Sequence, residues 1–455
     1  MITSSAFHGK KYAVLGLARS GAATVEALLA SGAQVLAWDR QDNARVPFEG
    51  RCELADPLEM DLTGFDGVVV SPGVPLNTHP VKPHAERFGV PVIGDIELFA
   101  QARAELPPHK VVGISGTNGK STTTALVHHI LKTAGVPTTM GGNIGLPILA
   151  QDPLPEGGVY VLELSSYQID LTFSLDCDVA VLLNITPDHL DRYDGSFEKY
   201  AASKARLFEM QSAQRLAVVE YAAEADLDVL DGASEQLSIQ FIDKVDLPSG
   251  QNDWPSLQGP HNLQNTQAAV VACRALGLTD VVIGEGLRTF TGLPHRMERV
   301  TTHNGVLFVN DSKATNTDSA APALAAFPPD PAINNGAPRI HWIVGGLPKE
   351  DGLGATEAHL ANVKAAYTIG EAGPRFAELL APHVHVERAE MMCEAVTRAI
   401  ARARPGEVVL LSPACASFDQ FRDYEARGAH FRQVVAALTG SDEEALEALA
   451  TGETA

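Results

Sequence analysis

Short runs rich in Val, Ile and Leu recur along the chain, separated by segments of helix length. They are "KYAVLGLA", "QVLAWD", "DGVVVSPG", "KVVGISG", "YVLELSS", "VAVLLNI", "VLFVNDS", "HWIVGG", "AAYTIG" and "EVVLLSP". A strand with one wet face alternates apolar and polar residues. These runs do not alternate, so both faces are expected to be covered. Covered strands alternating with helices predict parallel sheets in an α/β fold. Many of the runs end in Gly, Ser, Asp or Asn. Ligands of open parallel sheets bind beyond the strand C-termini, so candidate chemistry is sought there.

Punctuation divides the series. "ELPPHK" (105–110) precedes one strand, and "FTGLPHRMERV" marks a break near Pro294–His295, after which a fresh strand is expected from about Val306. Three α/β domains are predicted, spanning 1–97, 98–295 and 296–455. The Pro/Asn/Gly-rich stretch Phe327–Arg339 reads as an inserted loop. The acidic tail from Gly440 reads as a frayed helix, and no solenoid-length repeat is present.

Composition narrows the class. With 455 residues, 45% hydrophobic and 20% charged, the chain has the make-up of a soluble globular protein. Its net charge of −22 opposes association with nucleic acid or an anionic membrane. An anionic substrate therefore needs a local cluster of cations. Cys52, Cys177, Cys273, Cys393 and Cys415 are widely spaced, which argues against a disulfide framework or a zinc knuckle. No apolar run approaches membrane-spanning length, and the N-terminal segment enters a strand too early for a signal peptide. The expectation is a cytoplasmic monomer acting on small molecules, with no nucleic-acid partner and no membrane insertion.

The stretch "GISGTNGKSTTTALVHHI" (113–130) follows a strand and opens a helix. Gly116, Thr117, Asn118 and Gly119 form the turn, and Lys120, Ser121 and Thr122 begin the helix. Small residues let backbone N–H groups converge on phosphate, and the helix N-terminus adds partial positive charge. A lysine here reaches the β/γ-phosphates and the following hydroxyl binds Mg²⁺. The strict phosphate-loop pattern is broken at one place: Ile114 stands where its first glycine belongs. Later strand ends offer metal ligands. Glu163 closes an apolar strand, where an unpaired carboxylate is costly. Asn184, Asp188, His189 and Asp191 follow another. Lys204 and Arg206 lie on the next helix, where a solvated basic face is the plain alternative.

The N-terminal "GLARSG" approximates a dinucleotide fingerprint, with Asp39 ending the second strand. Ala18 occupies the middle-glycine position, and its methyl blocks close approach to a pyrophosphate. This favours a Rossmann-like fold over NAD binding. Together with the "SPGVP" turn (71–75), it suits the diphosphate of a nucleotide-linked substrate. In the last third, strand ends carry Asp311, Ser312, Lys313, Thr315 and Asn316, then Gly345, Gly346 and Lys349, then Ser412, Ser417, Phe418, Asp419 and Tyr424. Two lysines among hydroxyls suggest a small anionic ligand.

The motifs "GTNGKST", "GGNIG", "ELSSYQ", "NITPDHLDRY", "HNLQN", "GLPHR", "NDSKATN" and "SPACASFDQF" follow one another as in the Mur ligases, the ATP-dependent enzymes of peptidoglycan precursor synthesis. The chain resembles that family from Gly16 to about Phe431, and its last two motifs look like those of the D-glutamate-adding branch. The resemblance implies a Rossmann-like N-terminal domain, a central P-loop ATPase-like parallel-sheet domain and a C-terminal Rossmann-like α/β domain. It implies that ATP phosphorylates the alanyl carboxylate of UDP-N-acetylmuramoyl-L-alanine and that D-glutamate then attacks the acyl phosphate.

Residue by residue, the resemblance assigns Gly116 to Thr122 to the ATP phosphates, with Ser121 and Glu163 on one Mg²⁺ and Glu163 and His189 on a second. The lysine matching Lys204 is carbamylated in the family and bridges to metal. Lys120, Asn143, His189 and Lys204 are thus the implied catalytic set. Asn262, Asn265, Arg296 and Asp311 match adenine- and ribose-side residues. Arg19, Ser20, Asp39, Arg40 and Gly73 match the UDP pocket, and Lys313, Thr315, Lys349, Ser417 and Tyr424 match the D-glutamate pocket. Two departures lie near the amino-acid end: Leu347-Pro348 in "GGLPK", and Tyr424 where Phe is usual. Other readings are a sister Mur-type or folylpolyglutamate-type ligase, an NAD-dependent dehydrogenase built on Gly16–Gly21, and a non-catalytic nucleotide-binding regulator. Closure of the domains about a hinge near Pro294–Arg299 is expected, since an acyl phosphate must be kept from water.

Overall fold

Each apolar run singled out in the sequence forms a strand of the computed structural model, which describes residues 1–221, 228–349 and 351–440. The acidic tail from Ser441 onward lies outside the described residues. The chain divides into two compact units, Met1–Pro248 with Gln267–Gly286, and Ser249–Thr266 with the chain from Leu287 onward.

The first unit holds two sheets. One has the order β3-β2-β1-β4-β5, built from Glu53–Leu54, Gln34–Trp38, Lys11–Leu15, Gly67–Val70 and Val92–Ile93. All its pairings are parallel, and the strand order reverses between β1 and β4, where a doubly wound sheet opens its ligand crevice. The other sheet has the order β11-β10-β9-β6-β8-β7, from Ser238–Phe241, Leu216–Val219, Val179–Leu182, His109–Ser115, Gly158–Glu163 and Thr138–Gly142. It is also wholly parallel. Val111, Val112 and Ile114 of β6 are fully buried. Each such side chain contributes about 1.5–3 kcal/mol, so the strand beneath the phosphate-loop segment is firmly held.

The helix Asp95–Ala102 ties the two sheets together. The buried Glu97 accepts from the Phe173 and Ser174 N–H groups at 2.7 and 2.9 Å and from the Ser174 hydroxyl at 2.8 Å. Gly94 N–H donates to Leu171 O at 2.9 Å.

The second unit holds the sheet β12-β13-β17-β14-β15-β16, from Glu298–His303, Val306–Asn310, Val408–Leu411, Ile340–Gly345, Val363–Ile369 and His385–Glu390. Here the expectation of parallel strands is corrected. β12 precedes the strand expected at Val306 and pairs with β13 antiparallel, making the sheet mixed. Its sequence "ERVTTH" is an edge strand with one open side, so it carries no continuous apolar run. The loop Phe327–Arg339 is closed where Arg339 donates to Pro328 O at 2.9 Å, and its middle is fastened where Asn334 donates to Glu407 at 2.8 Å. Glu407 is fully buried with His341, 2.9 Å away, and accepts from Lys364 at 2.5 Å.

Candidate active site

The phosphate-loop segment follows β6 with the geometry that its glycines permit. Gly116 (φ +148°) and Gly119 (φ +85°) lie in the region closed to most side chains, and Gly119 caps the helix Lys120–Thr133. A Cβ on Gly116 would come 3.0 Å from Leu183. The loop is held from the neighbouring strand end. Thr117 N–H donates to Asn184 O at 2.9 Å, Asn118 N–H to Asn184 Oδ1 at 2.8 Å, and the Thr117 hydroxyl to Thr186 O at 3.1 Å. Lys120 Nζ folds back on the loop, donating to Gly116 O at 2.9 Å and Thr117 O at 2.7 Å.

Parallel register brings the other candidates beside this loop. Ile114 pairs with Glu163 across β6–β8, Ser115 with Leu182 across β6–β9, and Gly142 with Glu163 across β7–β8. Asn143 therefore emerges next to Glu163. Its backbone N–H donates to Glu163 O at 2.9 Å and its side chain to Glu163 Oε1 at 3.0 Å. Glu163 is only 2% exposed, and its Oε2 has no hydrogen-bond partner. Leaving such an oxygen bare costs about 1–3 kcal/mol, more for a charge. Ser121 is buried on the helix beside Lys120.

Lys204 overturns the plain reading of a solvated basic face. It sits on the helix Phe197–Glu209 at 1% exposure, donates to Gly116 O at 2.9 Å, and has its Nζ 4.8 Å from the Tyr200 ring centroid. Burial first, and the Lys120 charge second, hold its pKa well below the ordinary lysine value. Two lysine heads thus converge on one carbonyl oxygen. Arg206, by contrast, holds the carbonyls of Ile169 and Thr172 at 3.1 and 2.9 Å, a structural task.

A cavity of about 310 Å³ opens here, walled by Lys120, Asn143, His189 and Lys204 with Pro72 and Gly73 from the loop that follows β4. His189 has a left-handed backbone (φ +50°), lies 3.5 Å from Asp188, and leans on Tyr167 at 5.5 Å between ring centroids. Among the described residues no trio of His, Cys, Asp or Glu is preassembled as a metal site. The bare oxygen of the buried Glu163 carboxylate does fit a cation whose remaining ligands come from phosphate, water and a hydroxyl.

The same cavity is walled by residues not singled out from the sequence: Ser165, Ser166, Tyr167, Arg192 and Tyr200. Arg192 lies 4.6 Å from the Tyr167 ring and reaches Val74 O at 3.3 Å, while the Tyr200 hydroxyl is 3.1 Å from that of Thr117. Ser165, Ser166 and Tyr167 lie in "ELSSYQ" and Arg192 in "DHLDRY", so proximity to those motifs is the available signal; Tyr200 lies one turn before Lys204 on the helix Phe197–Glu209. Asp191 is exposed, and its carbonyl accepts from Asn77 at 2.8 Å.

At the first sheet, Ser71 ties β4 to β1 by donating to Gly16 O at 2.8 Å, and a Cβ on Gly21 would overlap that same carbonyl. Asp39 accepts from Leu17 N–H at 2.7 Å and Gln41 N–H at 2.9 Å, so its carboxylate shapes the crevice. Arg19 and Ser20 open the helix Arg19–Ala30, and Arg19 donates to Gly145 O at 3.0 Å. Arg40 is exposed. After burial, its charge also helps hold His79 below the ordinary histidine pKa.

In the second unit the predicted residues gather at the C-terminal ends of β13, β14 and β17. Asp311 N–H donates to Leu411 O at 2.7 Å. Its carboxylate accepts from the Ser412 hydroxyl at 2.8 Å and from Met297 N–H at 3.2 Å, and burial pushes its pKa up to about 7. Lys349 donates to the Thr315 hydroxyl at 3.2 Å, and Lys313 Nζ stands 4.0 Å from the Tyr424 ring centroid. Ser417 is buried and Phe418 beside it is exposed. Asn316 serves as a helix cap, accepting from Ser319 N–H at 2.8 Å. Asn262 and Asn265 are buried on the helix Pro260–Ala275, 3.2 Å apart, and Arg296 is partly exposed. The Leu347 departure is accommodated because that residue pairs with Ala416 through backbone atoms alone, at 2.9 Å in each direction.

Residues 114–244 match the Mur ligase middle domain, and residues 295–415 match the Mur ligase glutamate ligase domain. A Novosphingobium aromaticivorans protein named UDP-N-acetylmuramoylalanine–D-glutamate ligase is 64% identical over 441 residues, covering 96% of this chain and 97% of its own. A protein of the same name from Sphingopyxis alaskensis is 59% identical over 442 residues, covering 96% and 100%. In solved structures, the MurF ligase of Thermotoga maritima in complex with ADP aligns with a TM-score of 0.57 at 16% identity, over 98% of this chain and 97% of its own. FolC of E. coli in complex with DHPP and ADP aligns with a TM-score of 0.52 at 20% identity, over 76% and 93%. At those identities the likeness is one of fold. Two domain matches, with relatives of high identity spanning nearly the whole length, establish that this chain belongs to the Mur ligase family.

Proposed function

We propose that the chain is an ATP-dependent ligase that joins D-glutamate to UDP-N-acetylmuramoyl-L-alanine through an acyl phosphate, in peptidoglycan precursor synthesis. The observation that carries this reading is the convergence of Lys120 and Lys204 on Gly116 O, beside a buried carboxylate with a bare oxygen. A triphosphate and a carboxylate repel one another. Cations fixed at a phosphate loop remove that repulsion and hold the reacting oxygen in line with phosphorus.

Members of this family use ATP with Mg²⁺. Mg²⁺ supplies charge neutralisation at the transferred phosphoryl group. Ser121 and Glu163 would hold one ion, and Glu163, His189 and a carbamate on Lys204 a second. Lys204 suits carbamylation because burial and Lys120 favour its neutral amine, the form whose nitrogen adds to CO₂ with loss of one proton. Lys120, with backbone N–H groups from Gly116 to Thr122, would grip the ATP phosphates. Asn143 and His189 would face the alanyl carboxylate. Asn262, Asn265, Arg296 and Asp311 are assigned to adenine and ribose. Arg19, Ser20, Asp39, Arg40 and Gly73 are assigned to the uridine diphosphate, and Lys313, Thr315, Lys349, Ser417 and Tyr424 to D-glutamate. Two lysines match the two carboxylates of that amino acid.

These tasks divide among functional modules at 1–97, 98–295 and 296–455. We place the enzyme in the cytoplasm as a monomer with no nucleic-acid partner; among the described residues no helix is long and apolar enough to cross a membrane. ADP release tests the reading. It should require D-glutamate and UDP-N-acetylmuramoyl-L-alanine together. Turnover with L-alanine or a diamino acid, and none with D-glutamate, would overturn it.

A further inference from the structure

We propose that Arg427 is the positioning residue of the amino-acid pocket, setting the mutual placement of the loops that carry Lys313, Lys349, Ser417 and Tyr424. The inference rests on the assignment of those residues to D-glutamate. Arg427 is 1% exposed on the helix Tyr424–Thr439, one turn beyond Tyr424. Its planar head fans out over two loops. Nη1 donates to Cys415 O at 3.0 Å and Ala416 O at 3.2 Å. Nη2 donates to Ser312 O at 2.8 Å, and Nε to Ser312 Oγ at 3.0 Å.

Two of the three held residues directly precede a candidate ligand: Ser312 precedes Lys313, and Ala416 precedes Ser417. The third loop hangs on the same atom, because Leu347 N–H donates to Ala416 O at 2.9 Å on the way to Lys349. The helix itself is tied in, since the Ser312 hydroxyl donates to Tyr424 O at 2.8 Å. Space is tight where Gly346 passes the head. A Cβ on Gly346 would overlap Ala416 O and come 3.1 Å from Nη1.

Among the described residues no carboxylate lies within ion-pair distance of Arg427. Burial draws its pKa down to about 10. A buried guanidinium matched only to carbonyls and a hydroxyl is an expensive way to hold loops. What it supplies is a rigid fork of donors in one plane, which a lysine head cannot copy.

The test is steady-state kinetics of the full chain with ATP, UDP-N-acetylmuramoyl-L-alanine and D-glutamate each varied, for Arg427→Lys, Ser312→Ala and Lys349→Ala. Misplacing pocket groups by about 1 Å costs up to about 100-fold. Arg427→Lys should therefore raise KM for D-glutamate at least about tenfold while the other two KM values stay within about twofold. Ser312→Ala, which removes only the hydroxyl relay, should shift the same KM in the same direction by less, and it serves if Arg427→Lys does not fold. Equal shifts in all three KM values would overturn the proposal, as would a lower melting temperature with KM unchanged. Lys349→Ala separates the two layers: if it leaves KM for D-glutamate unchanged, the pocket assignment falls and the proposal with it. If it raises that KM while Arg427→Lys and Ser312→Ala do not, the proposal alone falls.

Discussion

Asp95 begins the helix that links the two sheets of the first unit, and its stability contribution changes with pH. It is 3% exposed; Oδ1 accepts from Ile96 N–H at 3.0 Å while Oδ2 has no partner. Burial is the largest influence and raises its pKa from 3.8 to about 6. The folded state therefore binds the proton more tightly than the unfolded state. Well below pH 3.8 the carboxyl is neutral in both states and burial costs little. Between about pH 4 and pH 6 the unfolded chain ionises first, and stability falls as pH rises. Above pH 6 the full penalty applies: about 2 pKa units at about 1.4 kcal/mol each, or about 3 kcal/mol. Asp95→Asn removes the charge and keeps the acceptor for Ile96. The variant's stability relative to the parent should move in its favour by about 2–3 kcal/mol between pH 4 and pH 8. Those values straddle the isoelectric point of about 5.0. Native-state hydrogen exchange of β1 and β4, corrected for intrinsic rates, reads the first sheet's opening free energy without requiring the whole chain to unfold as one unit. A difference that does not change with pH would refute the reasoning.

Other variants test the site. Lys120→Ala should lower phosphate release at least about 100-fold by removing the charge at the transferred phosphoryl group, and near-parental turnover would count against the loop assignment. Lys204→Ala should be as inactive, and small added carboxylates should restore part of the rate; full activity without them would end the carbamate reading. Asp39→Ala strips acceptors from Leu17 and Gln41. Such charge-assisted bonds contribute about 1.5–3 kcal/mol each, so the variant should melt earlier and show a higher KM for the uridine substrate, while unchanged values would place Asp39 outside the crevice.

Much of this architecture is legible in the sequence because covered parallel strands leave an unmistakable trace. The phosphate-loop segment stands out by its strand, glycines and helix despite Ile114. Glu163 stands out as a charge ending an apolar strand. What was hidden depends on tertiary neighbours. The edge strands β12 and β16, "ERVTTH" and "HVERAE", have an open side and so carry no continuous apolar signature. Lys204 reads as a surface lysine until the helix docks and buries it against Gly116. Tyr167, Arg192 and Tyr200 become cavity walls only when separated loops meet. Arg427 matters through carbonyl groups, which every sequence possesses, so no residue pattern announces it.

The central claim is that this site passes the terminal phosphoryl group of ATP to a carboxylate before the carbon–nitrogen bond forms. The direct measurement labels the alanyl carboxylate of UDP-N-acetylmuramoyl-L-alanine with a heavy isotope of oxygen and analyses the phosphate released in the presence of D-glutamate. Phosphate carrying a label oxygen from the carboxylate is the predicted result. Phosphate free of label, from a reaction that still forms the amide, would contradict it.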